Sequence, residues 1–463
     1  MLEPWRVIEG DSIDVLRGTP DDTYTAVVTD PPYGLSKPPP VLDVLKQWIE
    51  IGEYIRKTKS GKSGSGFLGH TWDDFVPGPA LWREVFRTCK PGAIALVFAS
   101  TRTYHWMVLG MLLAGFECLD TIGWVQAESM PHAGTIDKRI DARLGAKREV
   151  VGRVEKLQSF GVSNGKRVNE IFGGGPDKGG FMDITIPATP QAAEWQGWST
   201  ELCGAIEPIA VMRRPCEGTA TSNVLKHGCG AMNISACKSG DESTRRSNTA
   251  DMGYGGGLVA AGHVPVTGCE DGRWPKNIML DEVVADLLDQ QVGERKSGSR
   301  RAGVRSGMGY HGADGDGGPA IEGSRGGPSR YFWVGPQATE DDVLLPIHYF
   351  PKVRFTEREV GLPAGLVSNH PTVKPQALMQ RLCRLVGHPK GRILDPFAGT
   401  GTTLRAARAE GLPCDGVERD PEYARLARHR AGVALLRDYR GLAPHRLPTD
   451  PRSFLTEWLL DNI

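Results

Sequence analysis

The chain has 463 residues, room for two or three domains, and its 40% apolar and 24% charged residues are an ordinary globular balance. Its 55 basic residues equal its 55 acidic ones, so overall charge points to no polyanionic partner, and any nucleic-acid surface must come from local segregation of charge. No basic start with an apolar run opens the chain and no stretch nears a membrane span, so neither a secretory signal nor a transmembrane helix is expected; nine scattered cysteines suit a reducing, cytoplasmic compartment.

In chain order, residues 26–30 (AVVTD) form a short β-branched run that stops at Pro31-Pro32, which predicts a buried strand followed by a loop. A helix is predicted over 81–89, a turn at Lys90-Pro91-Gly92 and a second buried strand over 93–98. A third strand is predicted over 118–125, and such strand–helix alternation argues for a parallel α/β sheet. The middle, 151–344, is irregular, with glycine-rich loops at 173–175 and 253–257 and a run of five cations without an acid between Arg295 and Arg305. Cys216, Cys229, Cys237 and Cys269 share this region but form no CxxC pair, so isolated buried thiols are the reading and no metal site is expected. The α/β pattern returns with a helix over 376–386, a strand over 391–395, a helix over 402–410, a strand over 414–418 and a helix over 421–430. At the end, Leu455, Trp458 and Leu459 share one helical face, suited to docking on the domain or on a second copy of the chain, a homodimer.

Two loops carry chemistry. Asp395-Pro396-Phe397-Ala398-Gly399-Thr400-Gly401 lies between a strand and a helix, where Gly399 and Gly401 allow a tight turn and the helix start suits an anionic group. The next strand ends in Glu418, and an acid there can hold both ribose hydroxyls of a nucleoside cofactor. The third glycine of a dinucleotide fingerprint is missing, so one adenosyl ligand with a carboxylate fits better, namely S-adenosylmethionine, with Phe397 packing on it. Without a ligand the same residues read as a structural turn and a solvated glutamate.

The other loop is Asp30-Pro31-Pro32-Tyr33. The Asp30 carboxylate and the Pro31 carbonyl can act as two acceptors on one NH₂ group, and the Tyr33 ring can stack on a planar base. An exocyclic amino nitrogen is a weak nucleophile because its lone pair is conjugated; two acceptors favour a more tetrahedral nitrogen and take up its proton during in-line attack on a methyl donor. The alternative reading is a rigid turn.

With these two loops in this order, the sequence resembles the amino-methylating (N4/N6) DNA methyltransferases of β-type circular order, and in its middle the phage- and prophage-like members. The segment His370-Pro371-Thr372-Val373-Lys374-Pro375 and the pair Gly10-Asp11 also match that family. The resemblance implies a circularly permuted, Rossmann-like α/β fold with a mostly parallel seven-stranded sheet, in two catalytic parts, 1–150 and 345–440, around a recognition region, 151–344, with an extension, 441–463. It implies that Thr372 and Lys374 lie near the methionyl end of the cofactor and that Asp11 lies at the cofactor adenine or the pocket rim. An aspartate opening the tetrad usually accompanies adenine N6, and a serine or threonine cytosine N4, so a site-specific adenine methyltransferase of restriction–modification type is favoured. The cytosine N4 enzyme and an idle DNA-binding protein are the rivals. Segments such as Trp198-Ser199-Thr200-Glu201-Leu202 and Glu207-Pro208 also match phage-like members and read as scaffold.

The implied partner is double-stranded DNA, with the target base flipped out to reach the pocket. Phosphate contacts are sought in Arg295–Arg305 and in Lys138, Arg139, Arg143, Lys147 and Arg148, each of which reads equally as a solvated stretch.

Overall fold

A computed structural model describes residues 3–35, 38–56, 74–126, 135–155, 162–163, 166–167, 181–202, 204–239, 274–296, 325–335, 362 and 373–432. The first stretch folds as β1 (Trp5–Glu9), α1 (Ser12–Arg17), β2 (Tyr24–Thr29), α2 (Val41–Glu50), α3 (Pro79–Thr88), β3 (Cys89–Phe98), α4 (Tyr104–Leu113) and β4 (Glu117–Val125). Then come α5 (Ile136–Arg143), β5 (Glu149–Glu155), β6 (Val162–Ser163), β7 (Lys166–Arg167), β8 (Phe181–Ile186), α6 (Pro190–Glu194), β9 (Ile206–Arg213) and α7 (Ala220–His227). β10 (Ile278–Leu280), α8 (Glu282–Val292), β11 (Arg295–Lys296), β12 (Arg325–Gly326) and β13 (Trp333–Val334) precede α9 (Gln376–Val386), β14 (Ile393–Asp395), α10 (Thr402–Ala409), β15 (Cys414–Glu418) and α11 (Pro421–Arg430).

The main sheet has the order β1-β15-β14-β2-β3-β9-β4-β10-β13. The five strands from β1 to β3 run parallel, β9 is antiparallel to both β3 and β4, and β10 and β13 continue parallel to β4. The expected seven strands are therefore present from β1 to β4, and two short strands extend that edge. The central strands are buried on both faces, as a parallel sheet covered by helices requires. Along β3, Ile94, Leu96 and Phe98 face a layer with α9, α10 and α11, while Ala95 and Val97 face Leu81, Trp82, Met107 and Met111 of α3 and α4. The all-apolar runs predicted as strands are strands because each face has its own helical layer. The turn expected at 90–92 is an irregularity within β3, where Gly92 takes φ +80°.

The middle of the chain does not stand wholly apart from the catalytic sheet. β9 lies inside the expected recognition region of 151–344, yet it is wedged between β3 and β4 with Ile209, Ala210, Val211 and Met212 buried. The cause is plain in the sequence: Ile206–Arg213 is an apolar run that can bury both faces only inside a sheet. Beside it, β5 and β8 pair as an antiparallel ribbon. Most of the 295–305 cation run, the C-terminal helical face and Thr372 lie outside the described residues. Among those described, no helix is long and apolar enough to cross a membrane. Cys229 and Cys237 are buried, and burial pushes the Cys229 thiol up to about 11. No group of three metal-ligating side chains is present among the described residues.

Candidate active site

In an open α/β sheet, ligands bind beyond the carboxyl ends of the strands where the chain reverses its direction of winding. Here that point falls between β14, whose crossover through α10 leads outward to β15, and β2, whose crossover leads the other way to β3. The two chemical loops leave these neighbouring strands at their carboxyl ends. They are tied there by a buried hydrogen bond: the Thr29 hydroxyl donates to Asp395 Oδ1 at 2.7 Å. Residues 366 positions apart thus place the Asp30 loop directly beside the Phe397–Gly401 loop.

The glycine loop is built by steric necessity. Gly399 and Gly401 take φ of +51° and +82°, and a Cβ on Gly401 would stand 2.9 Å from the Ala427 Cα of α11. From the same helix the buried Arg430 guanidinium braces the loop, donating to the Thr400 carbonyl at 3.1 Å and its hydroxyl at 2.7 Å. Glu418, at the end of β15, accepts the Gly399 amide at 2.8 Å on Oε2 and the Asp420 amide at 2.7 Å on Oε1. Each oxygen keeps a second lone pair for a hydroxyl. Burial raises the Glu418 carboxyl above its ordinary range, opposed by the two amides. Phe397 is half-buried against the apolar layer of α1 to α4. Asp11 caps α1, accepting the Ile13 amide at 3.0 Å, and the preceding Gly10 amide donates to the Glu418 carbonyl at 3.0 Å, so Asp11 directly follows the residue joined to the end of β15. Ser12, which the sequence did not single out, donates to the Pro396 carbonyl at 2.5 Å and pins the start of α1 to the glycine loop.

Asp395 has a structural duty. It is buried and accepts the Thr29 hydroxyl and, at 3.1 Å, the Phe397 amide. Burial pushes its carboxyl from 3.8 up to about 6, against the pull of the Thr403 and Thr29 hydroxyls and the Phe397 amide. Between these two values the folded chain holds a proton that the unfolded chain has released, so stability falls as pH rises through that window and is level above it. The span is worth on the order of 3 kcal/mol. Asp395→Asn should remove it: the stability difference between variant and wild type, measured by urea unfolding, should change between about pH 4 and pH 6.5 in favour of the variant. A difference independent of pH would contradict the assignment.

At the other loop, the Asp30 carboxylate is held on one side only. Lys374 Nζ donates to Oδ2 at 2.5 Å, while Oδ1 is buried and has no hydrogen-bond partner among the described residues. Lys374 is itself buried, lies 3.6 Å from Glu207 Oε2, and sits over the Tyr33 and Phe98 rings at 5.1 and 5.0 Å. Its ammonium is therefore oriented by two carboxylates and two ring faces. The resemblance placed Lys374 at the methionyl end of the cofactor; the structure joins it to the tetrad carboxylate. The Tyr33 hydroxyl donates to Glu207 Oε2 at 3.3 Å, and its carbonyl accepts from the Thr103 hydroxyl at 2.6 Å. After Tyr33 the chain turns at Gly34, φ +62°, where a Cβ would stand 2.8 Å from Phe75 Cα. Glu207 also accepts from Gln126 Nε2 at 3.2 Å. Glu207 is the residue that the sequence left as scaffold: the single acid opening an apolar strand was its only signal.

The arrangement fits S-adenosylmethionine on its own terms. It offers an acid beside a glycine turn that admits no side chain, a half-buried aromatic ring, and a buried carboxylate oxygen without a partner on the adjacent strand.

Comparison with known proteins agrees. A family model described as DNA methylase matches residues 266–429, which include Lys374, Asp395 to Gly401 and Glu418. DNA adenine methyltransferase YhdJ of Escherichia coli (strain K12) is 39% identical over 85 residues, 18% of this chain and 26% of that protein. Type II methyltransferase M.SmaI of Serratia marcescens is 46% identical over 63 residues, 13% of this chain and 21% of that protein. The chain thus spans about a quarter of the length of the curated relatives it matches. Among solved structures, the cytosine-N4-specific PvuII DNA methyltransferase aligns with 92% of this chain and 88% of its own at TM-score 0.39 and 10% identity. The M1.HpyAVI–SAM complex aligns with 92% and 99% at TM-score 0.32 and 10% identity. Through residues 266–429 the chain is similar to the DNA methylases, and the stretch of that likeness is the one that carries the glycine loop and Glu418.

Proposed function

We propose that the protein transfers a methyl group from S-adenosylmethionine to the exocyclic amino nitrogen of a base in double-stranded DNA, adenine N6 in preference to cytosine N4. The observation that carries this reading is the Asp30 carboxylate beside the glycine loop, with Oδ2 fixed by Lys374 and Oδ1 buried without a partner among the described residues. A buried acceptor left unpaired costs about 1–3 kcal/mol, which a substrate N–H would recover.

S-adenosylmethionine supplies an electrophilic methyl group on a sulfonium. Glu418 holds the ribose hydroxyls, Phe397 packs on the cofactor, and the turn at Gly399–Gly401 lets the backbone approach closely. The target base leaves the duplex and stacks on Tyr33, whose hydroxyl is tethered to Glu207. Asp30 Oδ1 and the Pro31 carbonyl would accept the two amino hydrogens and raise the nitrogen's nucleophilicity, and Oδ1 would take the proton released as the nitrogen displaces the neutral thioether from the methyl group, the N–C bond forming as the S–C bond breaks. Lys374, 2.5 Å from Oδ2, keeps the carboxylate aimed for that step. Adenine is favoured because an aspartate opens the tetrad, and YhdJ carries adenine in its name.

DNA from cells expressing the protein, digested to nucleosides and analysed by mass spectrometry, should contain N6-methyldeoxyadenosine. N4-methyldeoxycytidine in its place would overturn the choice of base. Neither product, from a chain that still binds S-adenosylmethionine, would overturn the reading as a whole.

A further inference from the structure

We propose that α5 and the Trp195–Trp198 turn form the surface that grips the DNA duplex, with the helix on the phosphates and the tryptophans against sugars and base edges in a groove. This rests on the reading of DNA as substrate and names where the chain meets it. The first support is how α5 sorts its charges. Asp137 and Asp141, four apart and so on one helical face, are both buried. Arg148 neutralises them, with Nη2 2.8 Å from Asp137 and Nη1 2.7 Å from Asp141. Asp141 also accepts the Ala188 amide at 3.0 Å and the Thr189 hydroxyl at 2.8 Å. Arg148, which the sequence grouped with the basic face, is thereby withdrawn from it. What remains outward on and just after the helix is Lys138, Arg139, Arg143 and Lys147, all exposed and without an acid among them. A chain of zero net charge thus presents a local cationic face made by turning its acids inward. The exposed acids Glu149, Glu194 and Glu201 belong to neighbouring segments, and Asp183 is paired with Arg153 at 2.9 Å.

The second support is the aromatic pair. Trp195 and Trp198 are 42% and 60% exposed, yet their rings meet edge to face at 5.2 Å, a preformed apolar prominence on a polar surface. The Trp198 carbonyl accepts the Ile136 amide at 2.9 Å, so the pair stands at the first residue of the cationic helix.

The third is position. Thr135 bridges Ser199, the Gln126 amide donates to the Ala205 carbonyl at 2.8 Å, and Val125 pairs with Ile206. The segment therefore leaves the sheet at the carboxyl end of β4, the end at which Asp30 and Glu207 gather. Glu207 is nine positions after Trp198, a distance that an extended chain spans in at most about 30 Å. That is within about one turn of B-DNA, so a duplex lying on this surface reaches the pocket.

The test is binding of a labelled mixed-sequence duplex to the full chain by fluorescence anisotropy, between about 50 and 200 mM salt. Arg139→Gln/Arg143→Gln should bind about tenfold more weakly, and its slope of log affinity against log salt should be shallower by about 2, as the loss of two phosphate contacts requires. Trp198→Ala should bind about fivefold more weakly with the slope unchanged, because the lost contact is uncharged and releases no counterion. On the unaltered protein, lysine labelling read by mass spectrometry should show Lys138 and Lys147 protected by the duplex. Wild-type affinity and slope in the arginine variant, or equal labelling with and without duplex, would overturn the surface while leaving DNA as the substrate. A wild-type chain that binds S-adenosylmethionine but no duplex even at the lowest salt would instead overturn the DNA reading.

Discussion

Asp30→Asn is expected to lower methyl transfer about a hundred- to a thousandfold while changing S-adenosylmethionine affinity by less than about twofold. Lys374 sets the outcome. Its ammonium lies 2.5 Å from Oδ2 and can only donate, so an asparagine would have to put its carbonyl oxygen there. The amide NH₂ would then stand where Oδ1 stood, and a donor would face the amino group of the base. The substitution keeps size and shape but reverses the polarity of the one atom the chemistry needs. Single-turnover incorporation from labelled cofactor, with calorimetric titration of the cofactor alongside, measures both quantities. Activity above about a tenth of wild type would contradict the role of Oδ1.

Lys374→Met is expected to damage both chemistry and folding. The ammonium is buried, and removing it takes the donor from Asp30 and the cation that lies 3.6 Å from Glu207. Breaking one side of a buried pair typically costs about 3–5 kcal/mol, more than removing both charges. The urea midpoint should therefore drop, and the double variant Asp30→Asn/Lys374→Met should regain part of the loss. Methyl transfer in the single variant should fall about a hundredfold or more, since the carboxylate is no longer aimed. A double variant as unstable as Lys374→Met would show that the pair is not what Lys374 contributes.

The scaffold was largely legible in the sequence and the wiring of the site was not. Cys414–Glu418, Pro421–Arg430 and Gln376–Val386 coincide with the predicted elements because each carries a complete local signal: an apolar run or a helical stripe with its stop residues. The glycine turn was legible for the same reason, since Gly399 and Gly401 are needed by the backbone itself. Asp395 was read as a cofactor residue, but its hydrogen-bond partners are Thr29, Thr403 and its own loop, and Thr29 is 366 residues away. Glu207 meets Tyr33 across 174 positions and Gln126 across 81. No local pattern encodes such a meeting; it follows from β9 entering the sheet between β3 and β4. The buried Asp137–Arg148–Asp141 group was likewise hidden, because three cations and two acids on a short helix look the same whichever way the acids point.

The place of β14 has a bearing on how the protein is made. It lies between β15 and β2, at the heart of the sheet, yet it is supplied by residues synthesised long after β2. At about 5–20 residues per second a ribosome needs roughly 20–70 seconds to travel from Thr29 to Asp395. Throughout that interval β2 has an open hydrogen-bonding edge that nothing in the nascent chain can close in the native way. Such an edge invites mispairing between chains, so yield in a heterologous host should depend on chaperone supply and temperature more than on the stability of the finished molecule.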